Sequence, residues 1–380
     1  MYKYLITIFI VLIVLYASLR DERFESKNIE LGISIPRTGI MKAWGDAVYS
    51  GANAYFSHAN QNRLLKDKEI KVVVFDDKYE PELTIENVKK LINKNVFAFF
   101  GFVGTPTVKK ILPIIQKTDI PLIAPFTGAS FLRDENIENL VNFRSSYDQE
   151  INNAVDYLHY KKNISRFAVF YQNDDYGEEG FVSLLLKLRS MGLKIHGEGT
   201  YKRNTLSIRH AFHEIKSAKP EVVFMIGAYK ANALFIKTAK KDPTFKNTIF
   251  CNISFGEANE MVKELDYKTD NLLFSQVVPS YQDTSIPVIL EYKKMMSRYF
   301  PKQPLGFISL ESYLSAKAVV SALKNVKGTL TREKFLRQIE HPRKNSLEGV
   351  EISYKNKQLH NKVYLFKYKN SKFIEVDNEY

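Results

Sequence analysis

A single cysteine, Cys251, in 380 residues excludes an internal disulfide, a CxxC redox pair and a cysteine-rich zinc site. Packing alone must hold the fold. The chain also lacks a Walker A sequence, a G-x-G-x-x-G after its first strand, a G-x-S-x-G nucleophile elbow and an HExxH pair, so enzyme readings lose most of their support. No low-complexity segment and no repeat of 20–50 residues is present, which argues against a solenoid. Beyond the N-terminus no stretch stays apolar for 18 residues, and a membrane helix needs roughly 20.

What is present is an ordinary globular composition, 45% hydrophobic and 26% charged, in a length about 2.5 times a typical ~150-residue domain. Two lobes, each with a core, fit that length. Lys+Arg 55 against Asp+Glu 42 leaves +13, a diffuse field able to attract nucleic acid, anionic lipid or acidic small molecules. The lysines are scattered without an interleaved aromatic stripe, so no nucleic-acid partner is expected.

Lys3, the apolar run Leu5–Leu19 and the charged Arg20-Asp21-Glu22-Arg23 form the three parts of an export signal. Leu15-Tyr16-Ala17 is a poor cleavage site, so residues 1–25 read as a signal peptide or an uncleaved inner-membrane anchor. Either reading places the folded part in the periplasm. No cysteine follows the run, which excludes a lipoprotein anchor on it.

From Ile29 onward, β-rich runs alternate with amphipathic helical patterns: Ile29–Ile35, Ala43–Gln61, Ile70–Phe75, Pro81–Asn93, Val96–Phe100, Pro106–Lys117 and Ile120–Ile123. The rhythm restarts after Asn142 with a helix over Gln149–Tyr160 and a strand over Arg166–Tyr171. Two successive units of this kind predict an α/β protein of two doubly wound parallel-sheet lobes. Helical patterns over Pro287–Phe300, Leu310–Lys324 and Thr331–Ile339, then strands over Lys362–Lys369 and Ser371–Val376, are too few for a third domain and distribute between the lobes.

Facing sheets of this type place the loops after their strands around a shared crevice. One such loop, Gly101-Phe102-Val103-Gly104-Thr105-Pro106-Thr107, brings hydroxyls and free N–H groups to a helix start, a seat for a carboxylate or other anion. Ala124–Ser130 is a second, with Phe126, Thr127 and Gly128. In the second unit Tyr176 and Tyr229 follow strands at equivalent positions, as rings closing over a ligand would. Asp76-Asp77 and Asp174-Asp175 read as turn and cap residues rather than an acid/base pair, and Cys251 as a buried small hydrophobe. His210 and His213 are better read as a solvated helix face than as metal ligands. No catalytic residue, metal or cofactor is expected.

Taken in order, Ile29–Gly39, Val73–Asp77, Pro121–Ser130, Phe143–Glu150, Phe167–Gly180 and Ala218–Tyr229 resemble the type I periplasmic binding proteins, and more narrowly the leucine/isoleucine/valine-binding subunits of ABC transporters. The resemblance implies two lobes joined by a three-segment hinge: residues 28–143 plus 281–340, and 144–280 plus 345–380. Crossovers are expected near Asn142–Ser146, Val277–Tyr281 and Glu340–Leu347, with ligand closing the lobes. It also implies a ligand-binding set. Trp44 is an aromatic wall, Thr105 holds a carboxylate, and Phe126, Thr127 and Gly128 bind carboxylate and amine. Tyr176 and Tyr229 come from the second lobe, Phe255 lies nearby, and Tyr281 sits at the hinge. Amino-acid binders carry an acidic side chain near Phe255, whereas Asn252-Ile253-Ser254-Phe255 offers none and Glu257 lies two residues late. A plain branched-chain amino acid is therefore disfavoured against a flatter or aromatic acid, an amide or a heterocycle. The expected role is a monomeric solute-binding protein handing a small molecule to an ABC permease; a membrane-tethered ligand sensor signalling to a receptor or kinase is the alternative.

Overall fold

The computed structural model describes residues 26–376. Its first sheet is parallel throughout, with strands β1 (Asn28–Ile35), β2 (Glu69–Asp76), β3 (Ala98–Phe100), β4 (Leu122–Ile123) and β5 (Leu140–Val141) in the order β2-β1-β3-β4-β5. Helices α1 (Lys42–Gln61), α2 (Pro81–Asn93) and α3 (Thr105–Ile115) make its crossovers. β1 lies second from the edge and is buried without interruption from Leu31 to Ile35, as a strand covered on both faces should be.

The second sheet has seven strands in the order β12-β11-β10-β9-β8-β6-β7. They are β6 (Phe167–Gln172), β7 (Ile195–Tyr201), β8 (Val222–Ile226), β9 (Ile249–Asn252), β10 (Leu272–Gln276), β11 (Tyr364–Lys369) and β12 (Lys372–Glu375). The first five are parallel; β11 runs antiparallel to β10 and turns back into β12. Helices α4 (Tyr147–Asp156), α5 (Asp175–Ser190), α6 (Arg209–Ser217), α7 (Tyr229–Ala239) and α8 (Ala258–Glu264) belong to this half. α4 opens on a capping box between Ser146 and Gln149 and passes into a π-turn at Tyr157–Lys161.

Late helices α9 (Pro287–Tyr299), α10 (Phe307–Asn325) and α11 (Arg332–Glu340) return to the first sheet's side. α10 is buried continuously from Phe307 to Val320, the polar Ser309, Glu311, Ser312, Ser315 and Lys317 included, and it crosses α1 closely. A Cβ at Gly51 of α1 would stand 2.1 Å from the Ser309 carbonyl oxygen, so only glycine permits that approach.

The sequence reading places the elements within a few residues of these bounds, with two omissions. β5, of two residues, and α8, of seven, are too short to show a period. The strand drawn from Val96 begins at Ala98. Where the chain passes between halves, Asn142 and Phe143 exchange backbone bonds with Lys357, Leu359 and His360. The segment beside the first crossover is thus later than Glu340–Leu347, because Glu348 is still held against the first half by Val288 N–H and Lys317. Residues 1–25, read as a signal or anchor, lie outside the described residues. Among the described residues no helix is long and apolar enough to cross a membrane.

Candidate functional site

The loops after strands of both sheets meet in one buried aromatic cluster. Phe255, after β9, is its centre: its ring lies 4.6 Å from Trp44 at the start of α1, 4.6 Å from Tyr176 in the first turn of α5, and 6.1 Å from Tyr79 after β2. Phe126 adds an edge contact to Trp44 at 5.8 Å, and Tyr147 lies 5.5 Å from Tyr176. All six are at most 1% exposed, so the lobes are closed upon one another.

Threonines line one side. Thr105 Oγ1 and Thr127 Oγ1 lie 2.7 Å apart, and the Tyr147 hydroxyl is 3.3 Å from Thr105 Oγ1. Gly128 lets this corner close, since a Cβ there would meet Tyr147 N at 2.7 Å. At Gly104, with φ +104°, a Cβ would stand 2.2 Å from the Tyr79 ring. Tyr79 itself has φ +64° and Ala124, after β4, φ +51°, left-handed backbones that non-glycine residues adopt at a cost of about 1–3 kcal/mol and that gather at binding sites.

Beneath the threonines lies a charged layer. Arg144 is fully buried; its Nε and Nη2 each donate to Glu311 at 2.9 Å, and its guanidinium carbon sits 6.0 Å from the Trp44 ring and 5.9 Å from Phe126. Burial works against that charge, and the Glu311 carboxylate more than offsets it, leaving the guanidinium above its ordinary pKa. Arg133 donates to the carbonyls of Thr127, Ala129 and Arg144; burial and the neighbouring Arg144 lower it to about 10. Glu150 accepts from Ser254 N, Ser254 Oγ and Ser275 Oγ, each at 2.8 Å. Two buried polar groups beside the rings, Tyr176 OH and Arg144 Nη1, have no hydrogen-bond partner among the described residues.

Contacts across the cleft continue to its rim. Trp44 Nε1 donates to the Phe255 carbonyl at 3.3 Å and Gln172 Nε2 to the Tyr79 hydroxyl at 3.2 Å. Outside them, Glu80 accepts from Arg203 and Asn204 at 2.8 and 2.7 Å, Lys109 reaches Asp175 at 2.5 Å, and Ser130 N donates to Glu179 at 2.7 Å.

Of the residues read from the sequence, the structure brings Trp44, Thr105, Phe126, Thr127, Gly128, Tyr176 and Phe255 together. Tyr229 instead spans the halves at another point, donating to the Ile40 carbonyl at 2.9 Å. Tyr281 accepts from Asn259 and packs on Phe307 and Phe373. Tyr79, Arg144, Tyr147 and Glu150 were missed. The last three stand inside Phe143–Glu150, where their close spacing beside a crossover was the available signal.

The acidic pairs behave as turn residues. Asp76 accepts from Arg37, Thr38 and Lys78 N–H groups; Asp77 accepts from Ser34 Oγ and Tyr79 N, and burial pushes its pKa to about 6. Asp174 caps α5 through Tyr176 N. His210 and His213 are exposed, and Cys251 is buried. Among the described residues no group of three or more His, Cys, Asp or Glu could hold a metal ion.

Comparison with known proteins bears on the family and the fold. The profile of a family described as "Periplasmic binding protein" matches residues 28–372. A Leu/Ile/Val-binding protein homolog 7 of Brucella abortus is 22% identical over 321 residues, 80% of this chain and 78% of the relative. The crystal structure of a possible leucine/isoleucine/valine-binding protein from Rhodopirellula baltica superposes with a TM-score of 0.86 at 29% identity, covering 92% of this chain and 96% of that one. A branched-chain amino acid ABC transporter structure from Thermus thermophilus with bound valine gives 0.81 at 18% identity, covering 92% and 95%.

Proposed function

The chain belongs to the periplasmic binding protein family, and from that premise we propose that it captures a small solute between its lobes outside the cytoplasm and delivers it to the permease of an ABC transporter. The observation that carries this is the buried cluster itself: rings and hydroxyls from both sheets converge at their strand C-termini, and closure joins them. Residues 28–143 with 281–340 move against 144–280 with the C-terminal strands, about crossovers that include Asn142–Ser146.

In this reading Trp44, Thr105, Phe126, Thr127, Gly128, Tyr176 and Phe255 contact the solute, and Tyr79, Arg144 and Tyr147 join them. Tyr229 and Tyr281 hold the lobes rather than the ligand. The carboxylate seat is the Thr105–Thr127–Tyr147 corner, where hydroxyls and helix-start N–H groups favour an anion.

A thermal-shift screen against amino acids, amides, organic acids, sugars and nucleobases tests it. Solute at 100 times its Kd stabilises by about 2.7 kcal/mol. The expected result is a stabilising solute whose effect is lost in Thr105→Ala. A folded protein that none of the panel stabilises would overturn the reading.

A further inference from the structure

Resting on the cleft reading above, we propose that the captured solute is a planar aromatic carboxylate lacking an ammonium group, an arylcarboxylate of the benzoate type. Three independent features of the cluster point there.

The walls are rings on both sides. Trp44 and Tyr79 come from the first half, Phe255 and Tyr176 from the second, with Trp44 and Phe255 only 31° from parallel and Tyr79 and Phe255 37°. A flat ring entering as the lobes part replaces ring–ring contacts with ring–ring contacts, which are favourable beyond the area they bury. A branched aliphatic chain offers no such exchange.

One side of the cluster carries donors and two buried guanidiniums. Arg144 is matched by Glu311, but Arg133, bonded only to carbonyls and to Gln358, has no carboxylate within ion-pair distance among the described residues. Both guanidiniums lie under the loop that holds Thr127, and Arg144 Nη1 and Tyr176 OH bring donor capacity that no protein group uses. Charge-assisted bonds to a carboxylate are the strongest use of such groups.

Every carboxylate near the rings is already engaged. Glu150 takes three donors, Glu311 takes both arms of Arg144, Asp77 takes Ser34 and Tyr79 N, and Asp174 takes Gln172 and Tyr176 N. An ammonium buried here would have to share one of these carboxylates with its present donors, and one left without a carboxylate is far costlier to bury than a neutral ring.

The test titrates the purified protein, unfolded and refolded to release carried-over solute, with benzoate, 4-hydroxybenzoate, phenylacetate, L-phenylalanine, L-leucine and L-valine, by calorimetry and Trp44 fluorescence. The expected result is an arylcarboxylate binding at least 100-fold more tightly than any of the amino acids. Tyr176→Phe and Thr105→Val should each weaken it about tenfold, and Tyr176→Phe, which removes a hydroxyl without a partner, should leave the ligand-free unfolding midpoint unchanged. An amino acid binding more tightly, or no arylcarboxylate binding while a sugar or nucleobase from the thermal-shift screen binds in a way that Thr105→Val abolishes, overturns the aromatic acid and leaves the cleft function standing. Arylcarboxylate binding that survives both substitutions, or no binding by any solute, overturns both.

Discussion

Trp44 meets Phe255 twice over, with its indole N–H on the Phe255 carbonyl at 3.3 Å and its ring 4.6 Å from the Phe255 ring. One side chain of the first half thus holds both backbone and side chain of the second. As the only tryptophan, it reports on this one corner of the cluster, where Phe255, Phe126 and Arg144 surround it. Trp44→Phe keeps a ring and removes the donor, so a loss of about 1 kcal/mol is expected in urea unfolding followed by circular dichroism. An unchanged midpoint would show that this hydrogen bond adds nothing to the closed state.

Arg144 and Glu311 form a buried pair, 0% and 3% exposed at the side chains. Removing one partner strands the other, so Arg144→Met should cost about 3–5 kcal/mol. The double variant with Glu311→Met should recover much of that loss. A double-mutant cycle in denaturant measures the coupling, and additive losses would show that the two side chains act independently.

The rim contacts of Glu80, Lys109 and Glu179 close the mouth rather than build the cores. Their partly exposed pairs are each worth about 0.2–1 kcal/mol, so Glu80→Gln or Lys109→Ala should weaken solute binding by roughly two- to fivefold. The unfolding midpoint should hardly move. Raising the salt should mimic either change, and small-angle scattering should show a larger radius of gyration at equal solute. Affinity independent of salt and of both substitutions would show that the rim takes no part in closure.

Glu257, at φ +55°, caps α8 through Glu260 N in a groove between α1 and α8, where burial pushes its pKa up to about 7. The native state therefore holds this proton more tightly than the unfolded chain does. Its contribution is fully present below about pH 4.5 and is lost as pH rises through about 7, a change on the order of 3 kcal/mol. Melting temperatures from pH 5 to 8 should fall more steeply for the parent protein than for Glu257→Gln. Parallel curves would contradict the assignment.

The parallel sheets were legible because strand and helix periods are local properties, and Thr105, Phe126, Thr127 and Tyr176 were legible because they follow strands, whereas Phe255 was expected only through the family resemblance. Tyr79 was missed because the Asp76-Asp77 turn before it explains itself, and only the left-handed backbone of Lys78 and Tyr79 turns the ring into the cleft. Arg144 and Glu150 find their partners 167 and at least 104 residues away, a distance over which periodicity carries nothing. Tyr281 shows the converse. The family resemblance placed it in the ligand set at the hinge, while packing sets its ring against Phe307 and Phe373.

The interleaving of the halves has a consequence for the order of events during synthesis. α1 waits for α10, some 250 residues later, to cover it, and the open edge of β10 waits for β11. The first half lacks its late helices until Glu340 has been made and the second lacks its last strands until Glu375, so neither lobe can be completed from its own early segment alone. Completion of each lobe thereby waits on segments made long after its first strand, which leaves the early polypeptide short of stable partners and threadable while they are being made.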